Sequence, residues 1–214
     1  MKKIILSMIF AVIGGVFLVG FNGTTAKSLT IAEKFGNSTV AAESGVYKFD
    51  PNHTAIGFEV KHMGLINVPG YFTDFSGMVN YNADDITKSS VEFNAKTASV
   101  DTRVEARNKH LQTEDFFDSA KFPEMTFKST KVAKSGDNLM VKGDFTLRGV
   151  TKSITIPVKV AGFVDGRGGS KIMGAMAETM IDRTDYGVNY GINGAVSKDV
   201  KIILNVEAGK SPAK

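Results

Sequence analysis

Three histidines, His53, His62 and His110, are the residues of this sequence best suited to acid–base or metal chemistry. Alternation along a strand puts His62 on the same face as Phe58 and Val60, whereas His53 falls on the opposite face. Neither an HxH nor an HExxH spacing is present, so a metal site would need folding to bring His110 to the other two. We therefore predict no metal site and no cofactor, and we place His62 at a buried strand end or beside the polar end of a ligand.

Two polar groups, Arg107 and His110, lie in the one stretch with a helical pattern, residues 104–112. A solvated helix face would account for both of them. The alternative is that one of them donates hydrogen bonds to the head group of a ligand, since a buried polar group without a partner is costly. The mixed charges at residues 182–185 indicate a local turn network instead of a site.

Composition excludes several other classes of function. The chain has 214 residues and no cysteine, which excludes disulfides, thiolate metal sites and a cysteine nucleophile. It has no GxSxG motif, and the glycine-rich residues 165–170 do not lead into a helix, so neither a hydrolase elbow nor a phosphate loop is indicated. Basic and acidic residues are interspersed, which indicates a solvated exterior and not a surface for nucleic acid.

The N-terminus has the pattern of an export signal. A basic start precedes an uncharged apolar run at residues 4–21, and small polar residues follow it. The run is also long enough for an uncleaved membrane anchor. We predict a protein that is periplasmic or otherwise exported, divided into a signal peptide at 1–26, a linker at 27–45, a domain at 46–208 and a tail at 209–214.

The most unusual stretch is residues 111–127, called the lid segment below, which carries four phenylalanines and one proline. The adjacent Phe116 and Phe117 cannot point the same way on a regular element, and Pro123 stops a helix from continuing. So short a segment cannot cover its own rings, so they must cover apolar surface supplied by the rest of the fold. We predict that the segment is an aromatic lid.

From residue 46 onward the hydrophobic pattern has a period of two residues, which is typical of half-buried strands. In residues 71–81, for example, the apolar face is Tyr71, Phe75, Val79 and Tyr81. About eight such strands follow one another, joined by turn signals such as residues 135–138 and 148–151. We therefore predict an all-β fold, an up-and-down antiparallel barrel of about eight strands with one short helix, because closure removes the exposed edges that a sandwich would leave.

The predicted inward faces combine phenylalanines with small residues. These small residues are Gly77, Ala95, Ser129, Gly143, Gly162, Ala175 and Ala177. Space beside them would let the barrel admit a small ligand, whereas bulky neighbours that fill this space would give a solid interior. Residue sizes leave both alternatives open. We also assign Met173, Met176 and Met180, which share one strand, to the core.

Four stretches resemble the YceI-like family, in the same order along the chain. They are residues 58–77, 106–129, 145–158 and 182–190, and the HL, FF and FP pairs of the second are the most specific. The resemblance implies a lipocalin-like barrel whose long apolar tunnel holds a polyisoprenoid such as an isoprenoid quinone or its precursor. Many members are exported to the periplasm, and several are dimeric.

The chain departs from the family pattern at two places. Asn108 follows Arg107 where the family usually has an aspartate, which removes a carboxylate that could hold Arg107. Residues 66–69 also differ from the pattern, so we expect a different tunnel mouth.

The leading hypothesis is non-catalytic binding, storage or transport of a long-chain isoprenoid lipid, with a homodimer and a transient membrane contact as further expectations. The residues assigned to the ligand are Phe58, Val60, His62, Phe75, Phe93, Arg107, His110, Phe116, Phe117, Phe127, Phe145 and Met173. One alternative is an enzyme that acts on a bound lipid or small apolar molecule, with His62 or His110 as general base. Another is a surface-anchored adhesion or stress module, which needs an uncut leader and a filled interior.

Overall fold

The computed structural model of the protein describes residues 39–211. The predicted export signal at residues 1–26 lies outside this range, and the predicted linker is described only from Thr39 onward. The strands are β1 (Gly45–Phe49), β2 (Ala55–His62), β3 (Ile66–Phe72), β4 (Phe75–Tyr81), β5 (Ser90–Lys96), β6 (Val100–Asp101), β7 (Glu124–Ser135), β8 (Asn138–Leu147), β9 (Val150–Asp165), β10 (Lys171–Asp182) and β11 (Val196–Lys210). One α-helix, α1 (Glu105–Leu111), lies within the predicted helical stretch.

Short 3₁₀ turns complete the secondary structure at Ile86–Lys88, Thr97–Ser99, Arg167–Gly169 and Arg183–Tyr186. The described helices are all too short or too polar to cross a membrane.

The strands form one closed antiparallel sheet. β1 and β2 pair with successive parts of β11, so together they occupy one position in the barrel wall. In the same way β3 and β4 pair with β2 and β1, and β6 and β5 pair with β3 and β4. Counting each interrupted pair once, the wall has eight positions, and β11 closes it against β1 and β2. The predicted eight-stranded antiparallel barrel is confirmed.

The turns between neighbouring strands follow the turn chemistry of the sequence. Arg148 and Gly149 join β8 to β9 with positive φ values of 50° and 74°, the two-residue type I′ turn whose twist matches that of the flanking strands. Gly136, at φ 58°, serves the turn between β7 and β8. Both predicted turns are therefore confirmed.

One predicted strand face is wrong. The pattern in residues 71–81 put Tyr71 inside, but Tyr71 is 48% exposed and Phe72 is 4% exposed. The reason is that Thr73 and Asp74 interrupt the strand between β3 and β4, which shifts the alternation by one residue. Phe75 then faces the core as predicted, and so does Phe72 before the interruption.

The predicted core position is also wrong for two of the three methionines in β10. Met173 is buried, whereas Met176 and Met180 are exposed on the outer wall. Within β10 the odd-numbered residues point inward, because side chains alternate between the two faces of a strand. The apolar residues on both faces of this strand concealed that alternation in the sequence.

Some of the small inward residues are covered by rings. A methyl group added at Gly77 would overlap the ring of Phe49, and one added at Gly143 would meet the ring of Phe127 and the Lys128 carbonyl. At these two positions the prediction that small residues leave space is wrong, because a neighbouring phenylalanine fills it. These two glycines therefore make room for a ring and add no empty space of their own.

Candidate functional site

The barrel contains two apolar cavities, each of about 80 Å³. We call the first the hairpin cavity, because much of its wall comes from the consecutive hairpins β7 to β10. Its lining includes Phe49, Val79, Tyr81, Val91, Phe93, Phe127, Val132, Leu139, Val141, Ile156, Val158, Met173, Ala175, Ala177, Leu204 and Val206. These residues come from every one of the eight wall positions, so the cavity lies inside the barrel.

We call the second the lid cavity, because the lid segment and the end of α1 cover it. It is lined by Ile56, Gly57, Phe58, Val60, Phe72, Leu111, Phe116, Phe117, Met125, Phe145, Leu147, Ile181, Arg183, Val188, Val200 and Ile202. Phe117 is the centre of the cover: its ring centroid lies 5.6 Å from that of Phe72 and 6.4 Å from that of Phe58. The predicted aromatic lid therefore covers an apolar space supplied by the wall.

A layer of rings separates the two cavities. Phe127 lines the hairpin cavity and its cross-strand partner Phe145 lines the lid cavity. Phe93 stacks on Phe127 with ring centroids 5.7 Å apart, and Phe145 contacts the buried ring of Tyr186. The two cavities thus follow one another along the interior, with aromatic side chains between them.

Arg183 is the one charged side chain that lines either cavity in residues 39–211. It is 4% exposed, and its guanidinium donates to the carbonyls of Ser197, Val188, Tyr190 and Val196 at 2.8 to 3.0 Å. Burial lowers the pKa of Arg183 from its ordinary value, because removal from water disfavours the charged form. Arg183 therefore ties the segment between β10 and β11 to the end of the lid cavity.

The neighbour of this arginine forms the predicted local network. Asp182 accepts hydrogen bonds from the amide and hydroxyl of Thr184 and from Lys198 Nζ, the last at 2.7 Å. The hydrogen bond from Lys198 and those from Thr184 hold the pKa of Asp182 at about 2. The sequence predicted this network but did not predict that Arg183 binds the carbonyls of the loop before β11. The one signal in the sequence is that Arg183 is followed closely by twelve residues, 186–197, that contain no Asp, Glu, Lys or Arg.

The polar residues that were assigned to a ligand lie outside both cavities. Arg107 donates to the hydroxyl and carbonyl of Thr102 at 2.8 Å, so its own loop holds it. His110 Nε2 lies 2.7 Å from Asp115 Oδ2, and its ring packs against Phe116. His62 is exposed, so its predicted buried position is wrong: it is the last residue of β2, and its neighbours Lys61 and Met63 are exposed as well.

Asn108, which stands where the family usually has an aspartate, holds the loop beside it through its side-chain amide. Its side-chain oxygen accepts from the amide and hydroxyl of Thr102, and its amide group donates to Asp101 at 3.0 Å. Asn108 thus holds Thr102, and Thr102 holds Arg107.

The apolar residues assigned to the ligand divide between the cavities. Phe58, Val60, Phe116, Phe117 and Phe145 line the lid cavity, and Phe93, Phe127 and Met173 line the hairpin cavity. Phe75 packs against the core and borders a separate groove of about 600 Å³ formed with β1, β5 and β7. Phe72 and Ile56 also line the lid cavity and were not in the predicted set.

A cluster of possible metal ligands lies on the outside of the barrel, where β1 passes into β2. His53 Nδ1 is 2.8 Å from Asp50 Oδ2 and 3.6 Å from Glu207 Oε1. The hydrogen bond to Asp50, with the nearby charge of Glu207, raises the pKa of His53 above its ordinary value. The arrangement is that of an exposed ion pair, remote from both cavities.

Comparison with known proteins identifies relatives of the whole barrel. The family model described as the YceI-like domain matches residues 47–208. Protein YceI of Escherichia coli O17:K52:H18 is 37% identical over 187 residues, which cover 86% of this chain and 94% of that protein.

Solved structures share the fold. The crystal structure of the Campylobacter jejuni YceI protein aligns with a TM-score of 0.63 at 29% identity, covering 71% of this chain and 90% of that one. A domain from Saccharophagus degradans, described as polyisoprenoid-binding and implicated in plant cell wall breakdown, aligns with a TM-score of 0.59 at 16% identity. It covers 79% of this chain and 100% of its own, and at that identity the likeness shows the fold alone.

Proposed function

We propose that this chain, which belongs to the YceI-like family, is a non-catalytic protein that binds the apolar chain of an isoprenoid lipid inside its barrel. The observation that carries the proposal is the pair of apolar cavities that follow one another along the interior. Apart from Arg183 and two serines, Ser89 and Ser90, their lining residues are apolar, so a hydrocarbon chain that binds there leaves water without needing specific polar partners. The polyisoprenoid-binding description of the Saccharophagus domain, which has the same fold, supports the class of ligand.

The driving force is transfer of the chain out of water. At about 0.8 kcal/mol per buried CH₂, a chain of roughly twenty carbons has a gross gain of more than about 15 kcal/mol before the cost of association. Two cavities of about 80 Å³ are too small for such a chain at its full length. A ligand that reaches both must therefore displace the ring layer at Phe127 and Phe145.

The cavities also support a binding role over a catalytic one. A general base must come within hydrogen-bond reach of its substrate, directly or through one water. His62 and His110 lie outside both cavities, and the described lining includes no histidine or carboxylate. The enzyme alternative thus has no base at the place where an apolar substrate would bind.

The direct test is to purify the protein from its own host and record its mass under native conditions, followed by organic extraction. We expect a bound species that extraction releases as a prenyl lipid. Recovery of a protein with empty cavities, or of a lipid without isoprene units, would contradict the proposal.

A matched pair of variants locates the ligand. Ala177→Phe should fill the hairpin cavity and reduce recovered lipid severalfold, since Ala177 is buried and lines it. Glu178→Phe adds the same ring at the next residue of β10, on the exposed outer face, and should leave the lipid content unchanged. Equal lipid recovery from the two variants would exclude the hairpin cavity as part of the site.

We further propose that the protein acts after export, because its N-terminal pattern is that of a signal peptide. Fractionation of host cells, with N-terminal sequencing of the recovered protein, tests this point. A chain recovered from the cytoplasm with residues 1–26 intact would contradict it.

A further inference from the structure

The end of the barrel nearest the lid cavity exposes a group of apolar side chains. They lie on the β2–β3 hairpin and on the loop that precedes β11, and we call them the apolar tip: Met63, Leu65, Ile66, Tyr190 and Ile192. Leu65 is 81% exposed, and Met63 and Ile66 are each more than half exposed. The Met63 amide donates to the Ala195 carbonyl at 2.9 Å, so the hairpin and the loop are joined. Exposed apolar residues grouped in this way mark an interaction surface.

The two segments that form the tip carry no carboxylate. Residues 60–73 contain no Asp or Glu, and residues 186–197 contain no Asp, Glu, Lys or Arg. Lys61, which is exposed beside the tip, forms no ion pair within residues 39–211. The nearest carboxylate on the lid side, Asp115, is paired with His110, whose ring contacts Tyr190. Apolar side chains on segments that carry no carboxylate of their own, with the cation of Lys61 beside them, fit a surface of anionic phospholipid, which attracts cations and repels carboxylates.

The β2–β3 turn holds Met63 in a left-handed backbone conformation that other residue types adopt more readily. Met63 and Gly64 have φ values of 53° and 71°, and the Leu65 amide donates to the His62 carbonyl at 3.0 Å, which together define a type I′ turn. Such turns favour Asn or Gly at both central positions. A methionine in this left-handed conformation costs stability, as Arg148 does in the β8–β9 turn, and here it also places an apolar side chain in solvent.

The tip is continuous with the cover of the lid cavity. The ring centroid of Tyr190 lies 5.2 Å from that of Phe116, which lines the cavity, and 4.9 Å from that of His110. A lipid that enters or leaves at this end therefore passes beside the tip.

We propose that the apolar tip docks on the surface of an anionic phospholipid bilayer and sets the lid end of the barrel against the membrane. Docking requires only the tip. The consequence that a bound lipid passes between barrel and bilayer at this end rests on the proposed function.

Site-specific fluorescence tests docking alone. The chain has no cysteine, so Leu65→Cys and Val46→Cys each give one labelling position for the polarity-sensitive dye NBD on the full chain. Val46 is the matched control, because it is exposed and lies at the opposite end of the barrel, next to the C-terminal part of β11. With vesicles of phosphatidylcholine and phosphatidylglycerol, the label at 65 should shift to the blue and be quenched by nitroxide on the lipid tails, whereas the label at 46 should not.

Outcomes that overturn docking are equally specific. Equal quenching at both positions would mean that some other part of the chain holds the protein on the vesicle without orienting it. No quenching at 65 would mean that the tip stays in water. A blue shift at 65 without vesicles, with a dimer in sedimentation that Leu65→Glu dissociates, would assign the tip to a second copy of the chain instead.

A second measurement separates docking from ligand binding. Leu65→Glu combined with Ile66→Glu should slow transfer of a fluorescent prenyl lipid to the same vesicles about tenfold or more. Retention of the lipid without vesicles should stay unchanged, because neither residue lines a cavity. Loss of retention without vesicles would contradict this division of roles, and failure of the wild type to hold any prenyl lipid would contradict the proposed function and leave the NBD result standing.

Discussion

The hairpin cavity and the lid cavity have the same volume and similar linings, but the chain closes them by different means. Around the hairpin cavity most of the wall consists of the long strands β7 to β11, each paired with its neighbour in sequence, and the rest comes from β1, β4, β5 and the 3₁₀ turn at Ile86–Lys88. Around the lid cavity the wall contains the shorter β2 and β3 and is completed by α1, the lid segment and residues 183–195. The hairpin cavity is thus bounded mainly by sheet, whereas irregular chain forms a larger part of the boundary of the lid cavity.

This difference explains why a charged residue borders one cavity only. Backbone carbonyls within a regular ladder have partners in the next strand, so apolar side chains suffice along most of the wall of the hairpin cavity. Irregular chain has no such ladder, and the carbonyls of Val188, Tyr190, Val196 and Ser197 find their donors in the single guanidinium of Arg183. The lid end therefore depends on a few specific side chains in a way that the hairpin end does not.

The largest expected effect breaks the lid end directly. Arg183→Met should lower the free energy of unfolding by about 3 kcal/mol or more, because it leaves several carbonyls without donors. Urea denaturation gives this value. Arg167→Met is the matched control at the other end of β10, where the arginine is exposed, and should change stability by less than about 0.5 kcal/mol. Similar losses in the two variants would show that the ends do not differ.

The next effect concerns the cover itself. Phe117→Asp places a carboxylate among the rings of Phe58 and Phe72 and should reduce retention of a prenyl lipid about tenfold or more. Gel filtration of the loaded protein followed by lipid extraction measures it. Lys121→Asp, at an exposed residue of the same segment, is the control and should retain lipid as the wild type does. Unchanged retention by Phe117→Asp would remove the lid from the mechanism.

A third, smaller effect compares the ring-covered glycines at the two ends. Gly70→Ala should lower stability by about 1 to 3 kcal/mol, because the new methyl group overlaps the ring of Phe58 and pushes it toward the lid cavity. Gly77→Ala should do the same to Phe49 at the hairpin cavity. Gly209→Ala, where no atom lies within 4 Å of the added group, should be nearly neutral in thermal denaturation. Neutral results at Gly70 and Gly77 would mean that both rings can move freely.

The smallest expected effect is a loss of stability at low pH that comes from Asp182, at the lid end of the barrel. The pKa of Asp182 is about 2, below its ordinary value of 3.8, so its contribution to stability is present above about pH 4 and is lost as the pH falls through 2. Urea midpoints between pH 4 and pH 2 should therefore fall less steeply for Asp182→Asn than for the wild type. Lys198→Met should reproduce part of this change, since the hydrogen bond from Lys198 is the main cause of the lowered pKa of Asp182. An unaltered slope in both variants would contradict the assigned cause.

Predictions from sequence succeeded where the signal was local and repeated. The period of two residues and the turn at Arg148 and Gly149 predicted strands and hairpins, because each depends on residues close together in the chain. Closure pairs β11 with β1 and β2, which are distant in sequence, and was predicted from the cost of open sheet edges. The same reasoning failed at Tyr71 and Phe72, where a two-residue interruption reset the alternation. It also could not tell which glycines a ring would cover, since that ring comes from another strand.

The amino-acid sequence by itself determined that this protein is a β-barrel with apolar inward faces and an aromatic segment over one end. Only the tertiary structure decided that the interior holds two cavities, that Arg183 supports one of them, and that Arg107, His110 and His62 lie outside both. The physical reason is that alternation is a property of neighbouring residues, whereas a cavity and its polar supports arise where strands distant in sequence meet. Which side chains meet there depends on the register and closure of the whole sheet.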